Sequence, residues 1–374
     1  MKDSSKAVEP MKAVGKQKRA AAKVGRQKRA DAARETIGID LGDKVSRYAI
    51  LNEEGDLMEE GSFRNLASSI EKHFGGAIKP ARIAMEAGTQ SAWIERELKR
   101  LGHEVIVADT RQLAWITASD KKNDRTDAAK LALLARADKR LLNQVQHRTA
   151  EQQAELNVIR ARDGLVRART LLVNAARGLA KGFGHRLPVA ITLTFGARAL
   201  AGLPEILKPA LRGLLAQIDS VSQQIKDYDH QIAQVANQQE DVVRLASIPG
   251  VGLLTALAFV LTLGNAARFA HSRDVGAYLG LCPKQRQSGS INPQLGISKA
   301  GNGYLRRLLV QCSQHKLGHF GKDSALRQWG LRKAQAGGKH GVKRAVTAVA
   351  RKLAVVMHRM WQTGQPFHPF PIAA

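Results

Sequence analysis

The chain has 374 residues, with 59 Lys and Arg against 32 Asp and Glu, which gives a formal net charge of +27. Apolar residues make up 44% of it, a share that is ordinary for a globular protein and excludes wholesale disorder, and the length predicts two or three domains. So large an excess of positive charge indicates a polyanionic partner, either nucleic acid or an anionic membrane.

The first 35 residues form a strongly basic tail. They hold eleven Lys and Arg against four Asp and Glu, and the sequence VGKQKRA at residues 14–20 recurs as VGRQKRA at residues 24–30. Such a tail cannot bury a core, so we predict that it is disordered in isolation. It is either an arm that binds phosphates or a solubilising tail. No apolar stretch follows the first basic residues, so no signal peptide is expected.

Residues 36–147 are predicted to form an α/β domain with a mixed sheet. The predicted elements, in chain order, are strands over residues 36–42, 45–51 and 57–63, a helix over 66–74, a strand over 82–85, a helix over 91–101 and a strand over 104–108. Three strands in a meander, followed by alternating helices and strands, are typical of this class.

Acidic residues lie where these elements end or begin. Asp40 ends the first strand, Glu86 ends the strand over 82–85, and Asp124 and Asp127 lie three residues apart on one face at the start of a helix. Carboxylates are the ligands that Mg²⁺ prefers, and paired ions would stabilise both the attacking and the leaving oxygens in phosphoryl transfer. Structural interpretations also remain: Asp at a helix start is commonly a cap, and Asp40 can be a turn residue.

Residues 148–240 carry two apolar series at heptad spacing. The first is Val158, Ala161, Leu165, Ala168, Leu172, Ala175 and Leu179, and the second is Leu211, Leu214, Ile218, Val221, Ile225, Tyr228, Ile232 and Val235. A Gly- and Pro-containing stretch over residues 182–209 separates them. The spacing predicts two coiled-coil helices, either as an antiparallel pair or as an intermolecular bundle. A helical hairpin that only separates two domains is the alternative.

The chain from residue 242 onward is predicted to be mainly helical and strongly basic. Its apolar segment Leu253–Leu263 is about half of the roughly 20 residues that a membrane span needs, so we predict a buried core helix. Aromatic residues, which anchor membrane helices, are only 5% of the chain. After Ile291, one acid, Asp323, faces fourteen Lys and Arg. Nucleic acid is therefore favoured over a membrane as the partner.

A glycine-containing turn precedes this apolar segment. Residues 248–256 read IPGVGLLTA, which is typical of a helix-hairpin-helix turn, and the backbone N–H groups near Gly250 and Gly252 would hold a DNA phosphate. A tight turn between packed helices is the other interpretation.

Two serine-containing motifs follow, LGLCPKQRQSGS at residues 279–290 and GISKAGNGYLRR at residues 296–307. Ser288 precedes a glycine and has cationic neighbours, as a serine that attacks a phosphodiester would require. Taken alone, Ser288 is better explained as a loop serine that hydrogen-bonds to its own backbone, and the chemical interpretation needs more than local spacing. The neighbouring cations predicted to bind nucleic acid are Lys284, Arg286, Lys299, Arg306 and Arg307.

These motifs together resemble one family, the DEDD-type transposases of the insertion-sequence one-ten family, which are bridge-RNA-guided recombinases. The resemblance covers about residues 36–360 and rests on the acids, the helical middle, and the PGVG, SG and GxISKxGN motifs. It implies a RuvC-like domain of the RNase H fold whose four acids, Asp40, Glu86, Asp124 and Asp127, bind Mg²⁺. It also implies a transposase domain in which Ser288 is the nucleophile of a covalent phosphoserine–DNA intermediate.

The resemblance further implies an active site composed between protomers and a structured RNA that pairs with target and donor DNA. One departure is that Gly289 is followed by Ser290 where the family often has a second glycine, and the loop also contains Pro293. Ser288 is therefore the first choice for the nucleophile, with Ser290 and Ser298 as alternatives.

The predicted protein is thus α/β plus mainly α and is a DNA transposase or recombinase. Its divisions are a basic tail (1–35), a RuvC-like domain (36–147), a coiled-coil middle (148–240), a transposase domain (241–362) and a tail (363–374). Expected partners are double-stranded DNA, a guide RNA and further copies of the chain in a dimer or tetramer. The alternatives are a metal-dependent junction nuclease that uses the acids alone, and a non-catalytic nucleic-acid-binding scaffold. Two cysteines are too few for a disulfide framework, which fits a reducing bacterial cytoplasm. Within it, the protein is expected to associate with the nucleoid.

Overall fold

The structure is a computed structural model that describes residues 35–76, 79–109, 124–189, 193–286, 293 and 295–370, with the backbone alone for residues 124–126. The chain divides between His147 and Arg148 into two compact units, called here the first and the second unit. Of the basic tail predicted over residues 1–35, residues 1–34 lie outside the described residues.

The first unit is built on a five-stranded mixed sheet in the order β3–β2–β1–β4–β5. Its strands are β1 Thr36–Asp40, β2 Val45–Leu51, β3 Leu57–Arg64, β4 Arg82–Glu86 and β5 Glu104–Ala108. β1, β2 and β3 form an antiparallel meander, and β4 and β5 continue the sheet parallel to β1. The predicted mixed sheet is confirmed, and it is compatible with a RuvC-like fold.

Helices cover both faces of this sheet. They are α1 Ala67–Phe74, α2 Ser91–Arg100 and α3 Asp124–Ala137, followed by a 3-10 turn at Lys139–Leu142. On one face the alternate residues Ile37 and Ile39 of β1 form a core with side chains of α1 and α2. On the other face Ala84 and Ile106 pack against α3. The sheet is therefore the middle layer of three, which agrees with the predicted α/β class.

The second unit is helical. Its helices are α4 Ala150–Gly182, α5 Phe195–Ala201, α6 Lys208–Asn237, α7 Glu240–Ala246, α8 Leu253–Leu263, α9 Asp274–Tyr278, α10 Gly303–Leu317, α11 Ala325–Ala336 and α12 Gly341–Thr363, with 3-10 turns at Glu205–Leu207, Ala266–Arg268 and Gly338–His340. The start of α4 is fixed by a capping box, in which the Thr149 side chain accepts from the Gln152 N–H. Pro209 in the first turn of α6 suits a helix start.

Helices α4 and α6 form an antiparallel pair within the chain. Ile159 and Ile232 share one core cluster, and Val173 and Leu211 share another. Arg162 Nε lies 2.5 Å from Asp229 Oδ1 across the pair. The pairing agrees with one of the two predicted arrangements, and nothing in it distinguishes a coiled coil from a simple helical hairpin.

The apolar stripe of α4 lies one residue from its predicted position. The predicted series is half-buried or exposed, and Leu179 is 51% exposed. The buried positions are instead Leu156, Ile159, Val173, Ala176 and Ala180. At its C-terminal half α4 packs against the returning segment and α5 as well as α6. This second neighbour rotates the buried face, which heptad spacing alone does not predict. The predicted series in α6 is half-buried or buried throughout.

Helix α8 is the centre of the second unit's core. Residues 255–263 are all buried, and the surrounding cluster contains side chains of α7, α10 and α12. Burial of each large apolar side chain contributes roughly 1.5–3 kcal/mol to stability. The prediction of a buried core helix is confirmed. Of the helices among the described residues, none is both long and apolar enough to cross a membrane.

Candidate functional site

The first candidate site is the edge of the sheet where β1 and β4 end. Asp40 is the last residue of β1 and Glu86 the last residue of β4. The two strands are adjacent and parallel, and Ile39 pairs with Met85. Asp40 and Glu86 are therefore the next positions in the same register, so the sheet brings together two acids that lie far apart in the sequence.

Both acids belong to the face of the sheet that α3 covers. Strand residues alternate between faces, and Ile39 and Met85 lie in the core on the opposite side. Gly38, two residues before Asp40, is in contact with α3, because a Cβ atom there would lie 1.9 Å from the Ala128 carbonyl oxygen. Asp40 and Glu86 share the face of Gly38, so they are placed on the α3 side of the sheet.

The start of α3 lies toward this same edge. Arg82, the first residue of β4, donates from Nη1 to the Ala135 carbonyl at 3.3 Å, so the end of α3 lies near the start of β4. Helix α3 therefore runs antiparallel to β4, and its first turn, which bears Asp124 and Asp127, lies toward the strand ends. We call Asp40, Glu86, Asp124 and Asp127 the acidic edge. The side chain of Asp124 falls outside the described residues.

Asp127 is the acid whose surroundings are best defined. Its residue is 8% exposed, and its Oδ1 atom is buried with no hydrogen-bond partner among the described residues. Lys130 Nζ lies 3.6 Å from Oδ1, which is an ion pair longer than a hydrogen bond. A buried carboxylate oxygen without a donor is costly unless a cation satisfies it. This oxygen therefore fits a metal ligand.

The ligand set as a whole remains a prediction. Among the residues with described side chains, no group of three His, Cys, Asp or Glu is arranged to hold a metal ion. Oxygen-only donors on one face and one edge suit a hard divalent cation such as Mg²⁺.

Neighbouring polar side chains position the loops that follow the two strands. Asn65 Nδ2 donates to the Gly42 carbonyl at 2.9 Å, beyond Asp40. Beyond Glu86, the Gly88 N–H donates to Ser91 Oγ at 3.0 Å, and Ser91 Oγ lies 2.9 Å from His147 Nε2. Sequence reasoning missed these three side chains. Asn65 and Ser91 have no spacing signal, and His147 lies 56 residues from Ser91.

The second candidate site is a short hairpin in the second unit. Its arms are joined by the pairing of Pro283 with Ile297 and by a hydrogen bond of 2.9 Å from the Lys284 N–H to the Gly296 carbonyl. We call residues 280–299 the serine hairpin. Ser288, the first choice for the nucleophile, and its alternative Ser290 lie outside the described residues. Ser298 lies in its second arm, half-buried, and its Oγ accepts from the Ala300 N–H at 3.5 Å.

A basic cleft of about 630 Å³ opens between the arms of the serine hairpin. Lys284, Arg286 and Lys299 line it, and all three are exposed. The structure therefore brings together three of the five cations that the sequence singles out. A cleft with three cations suits the oxygens of a phosphate.

Glycines hold the base of the hairpin against its neighbours. Gly280 and Gly301 have φ of +66° and +70°, which favours glycine. A Cβ atom on Gly280 would lie 2.3 Å from the Ala300 nitrogen, and one on Gly301 would lie 2.0 Å from the Tyr278 carbonyl oxygen. Lys299, between them, has φ of +57°, an uncommon value for a residue with a side chain.

The other two predicted cations make contacts within the protein. Arg306 Nη1 donates to the carbonyls of Leu279 at 2.9 Å and Ala300 at 2.8 Å, which joins the two ends of the hairpin. Arg307 Nη2 donates to both carboxylate oxygens of Asp163, at 2.8 and 2.9 Å. Their predicted role in binding nucleic acid remains a prediction.

The glycine turn between α7 and α8 packs against α10. Gly250 has φ of +86°, and a Cβ atom there would lie 3.1 Å from His315 Nδ1. Gly252 precedes the first residue of α8, is exposed and has no atom within 4 Å of an added Cβ. Space beside Gly252 agrees with phosphate binding at the helix start, and the packing of Gly250 agrees with a structural turn.

Comparisons with known proteins match both units. The family described as Transposase IS116/IS110/IS902 matches residues 242–328, and the transposase family of DEDD type for IS110 elements matches residues 37–184. The chain is 31% identical over 334 residues to the transposase for insertion sequence element IS1111A of Coxiella burnetii, covering 86% of this chain and 88% of that protein.

Two further relatives differ in how much they share. The transposase for insertion sequence element IS1328 of Yersinia enterocolitica is 31% identical over 284 residues, 74% of this chain and 82% of the relative. The pilin gene-inverting protein of Moraxella bovis is 30% identical over 151 residues, 39% of this chain and 46% of its own length.

Proposed function

Because this chain belongs to the IS116/IS110/IS902 family of transposases and acts in DNA transposition, we propose that Ser288 is its nucleophile and that the acidic edge holds Mg²⁺. The observation that carries the proposal is the placement of Asp40 and Glu86. Asp40 and Glu86 are neighbours at the ends of two adjacent parallel strands, on the face of the sheet that α3 covers. The first turn of α3, which carries Asp127, lies toward the same strand ends. The buried Oδ1 of Asp127, which accepts no hydrogen bond from the described residues and lies 3.6 Å from Lys130 Nζ, supports a cation there.

The proposed reaction is a phosphoryl transfer, in which one phosphate of the DNA moves from a deoxyribose oxygen to a serine of the protein. Ser288 Oγ forms a bond to the phosphorus, the bond from phosphorus to one deoxyribose oxygen breaks, and the serine proton ends on that oxygen. A deoxyribose hydroxyl of a second strand then attacks the phosphoserine, and Ser288 recovers its proton. Lys284, Arg286 and Lys299 stabilise the negative charge on the phosphoryl oxygens.

The acids act by holding a cation rather than by forming a covalent bond. When bound, Mg²⁺ supplies positive charge beside the transferring phosphate and orients its oxygens. Asn65 and Ser91 are positioning residues, because their hydrogen bonds hold the loops that follow Asp40 and Glu86.

A guide RNA and a homo-oligomer are also part of the proposal. Base pairing by an RNA would read the sequence while the protein binds shape and backbone, in keeping with the net charge of +27. Helix α4 exposes 71% of Leu171 and 51% of Leu179, apolar side chains that a second copy would cover. Light scattering of the complex with DNA tests this, and a single chain of 40.7 kDa per complex would contradict it.

The test of the nucleophile uses purified protein, Mg²⁺, the RNA transcribed from the element and labelled element-end DNA. A covalent protein–DNA adduct on a denaturing gel is expected with the native chain and with Ser290→Ala and Ser298→Ala, and no adduct with Ser288→Ala. An adduct that survives Ser288→Ala would overturn the assignment. Cleavage without an adduct, lost in Asp40→Asn, would indicate the junction nuclease. Salt-sensitive binding without cleavage would indicate the scaffold.

A further inference from the structure

A row of cations runs along the exposed side of α12. Arg344, Arg351, Lys352 and Arg359 are all exposed, while the opposite side of the helix is buried along its length. Residues seven apart differ by only about 20° around a helix. Arg344 and Arg351 therefore form one line, and Lys352 and Arg359 form a second line about 80° further round the helix, so that the two lines border its exposed side. We call these four residues the α12 row.

No acid forms an ion pair with the α12 row among the described residues. No Asp or Glu follows Asp323 in the sequence, and Asp323 accepts hydrogen bonds from Ser324 and Gln328. Within the part of the chain that the structure describes, no ion pair involves any member of the row. So strong a local field of one sign attracts a polyanion.

The indole of Trp329 brings a further cation beside the middle of the row. Lys352 Nζ lies 4.5 Å from the centre of its ring, and Lys333 Nζ lies 5.6 Å from the same centre. No carboxylate among the described residues pairs with either ammonium group. Lys333 therefore adds a further positive charge beside the row, which strengthens its attraction for a polyanion.

The row is continuous with the serine hairpin. A Cβ atom on Gly276 would lie 2.9 Å from Arg351 Cγ and 3.7 Å from Cys282 Sγ, so the stem of Arg351 packs beside Cys282. Cys282 lies in the first arm of the serine hairpin and bonds through its carbonyl to the Ser298 N–H at 2.9 Å. The same stretch of nucleic acid can therefore contact the hairpin and α12.

We propose that the α12 row binds the sugar–phosphate backbone of the duplex DNA that flanks the cut site. The choice of DNA rests on the proposed function, because the row adjoins the hairpin that would attack DNA. From Arg344 to Arg359 the row spans about 22 Å of helix axis. This equals about six base pairs at roughly 3.4 Å per pair. Contacts of this kind set the register of the DNA without reading its sequence.

The test measures binding of a fluorescent 30-base-pair duplex of random sequence at several salt concentrations. Each lost phosphate contact lowers the slope of log Kd against log salt by about 0.9. The slope should therefore be smaller by about 2.7 than the native slope in a chain that carries Arg344→Gln, Arg351→Gln and Arg359→Gln. A matched control removes three exposed arginines elsewhere in the same unit, with Arg186→Gln, Arg198→Gln and Arg212→Gln, and should keep the native slope. A third chain, with Arg344→Lys, Arg351→Lys and Arg359→Lys, keeps the positive charges and should show the native slope.

Three results would overturn the proposal: an unchanged slope in the first triple variant, an equal loss in the control, or a loss confined to a duplex RNA of the same length. The adduct assay on native protein runs alongside. An unchanged slope with a Ser288 adduct would contradict the α12 row and leave the nucleophile intact. The expected loss of slope without any adduct would contradict the nucleophile and leave the row intact.

Discussion

The acidic edge and the serine hairpin are held in place by different kinds of structure. The acids stand at the ends of two paired strands and at the start of a helix that crosses Gly38 at van der Waals contact. The hairpin depends on turns, on glycines with positive φ and on the two hydrogen bonds of Arg306. The first site is thus fixed by the core of its unit, and the second by a few polar contacts at the surface.

This difference predicts different responses to mutation. A change in the core beneath the acidic edge should alter stability and catalysis together, because the same packing supports both. A change at the base of the hairpin should alter catalysis with little effect on global stability, because surface loops contribute little to the core.

The largest effect is expected from the acids themselves. Asp40→Asn and Asp127→Asn should each lower cleavage by roughly 1,000-fold, since the charge stabilisation lost is several kcal/mol. Duplex binding should be unchanged. The exposed strand residue Glu60 offers a matched control, and Glu60→Gln should cleave normally. Thermal unfolding supplies a second readout: Mg²⁺ at 100 times its Kd should stabilise the native chain by about 2.7 kcal/mol. Equal stabilisation of Asp127→Asn would contradict its role as a ligand.

The contact between β1 and α3 can be broken with a single methyl group. Gly38→Ala places Cβ 1.9 Å from the Ala128 carbonyl oxygen, so α3 must shift and the free energy of unfolding should fall by about 3 kcal/mol. Cleavage should fall with it. Urea denaturation measures the change. Gly164→Ala in α4 is the control: it meets no atom within 4 Å and should raise stability by about 0.5–1 kcal/mol. Unchanged unfolding of Gly38→Ala would show that α3 does not hold the acids in place.

The hairpin can be loosened without touching the core. Arg306→Gln removes the charge that binds two carbonyls, so the rate of adduct formation should fall by roughly ten- to a hundredfold. The salt dependence of DNA binding should stay the same. A slope lower by about 0.9 would instead make Arg306 a phosphate contact, as its sequence context predicts. The exposed Arg212 of α6 is the control, and Arg212→Gln should form the adduct at the native rate.

The smallest effect concerns a buried histidine that belongs to neither site. Burial lowers the pKa of His358, whose ring lies 3.0 Å from both the Ser272 hydroxyl and the Ala266 carbonyl. The unfolded chain therefore binds a proton more readily, and stability should fall as the pH drops below about 6.5, by at most about 1.4 kcal/mol per pH unit. His358→Gln should remove this part of the pH dependence. Identical pH profiles between pH 7 and 5 would contradict it.

Much of the first unit follows from its sequence because its strands are short apolar runs with clear ends. Asp40 and Glu86 are recognisable as acids at the ends of such runs. The order of the first three strands also follows from the sequence, because short turns join them in a meander. The face they share was not predictable, since it depends on which residue of β1 meets α3, and that residue is Gly38.

The second unit shows where local pattern fails. The apolar stripe of α4 lies one residue from the heptad series, because α5 and the returning segment also pack on it. The place of Arg351 beside Cys282 depends on the approach of α12 to Gly276, residues far apart in the chain. Ser91 and His147 meet for the same kind of reason. Contacts of this type come from tertiary packing, and residue spacing carries no signal for them.

The central claim is that Ser288 forms the bond to DNA, and peptide mass spectrometry of the trapped adduct tests it most directly. A substrate whose leaving strand is a short oligonucleotide that diffuses away would hold the adduct. Trypsin cuts after Arg286 and Lys299, so residues 287–299 form one peptide that contains Ser288, Ser290 and Ser298. Fragmentation should place the nucleotide mass on Ser288. Its placement on Ser290 or Ser298, or DNA cut in Mg²⁺ with this peptide unmodified, would contradict the claim.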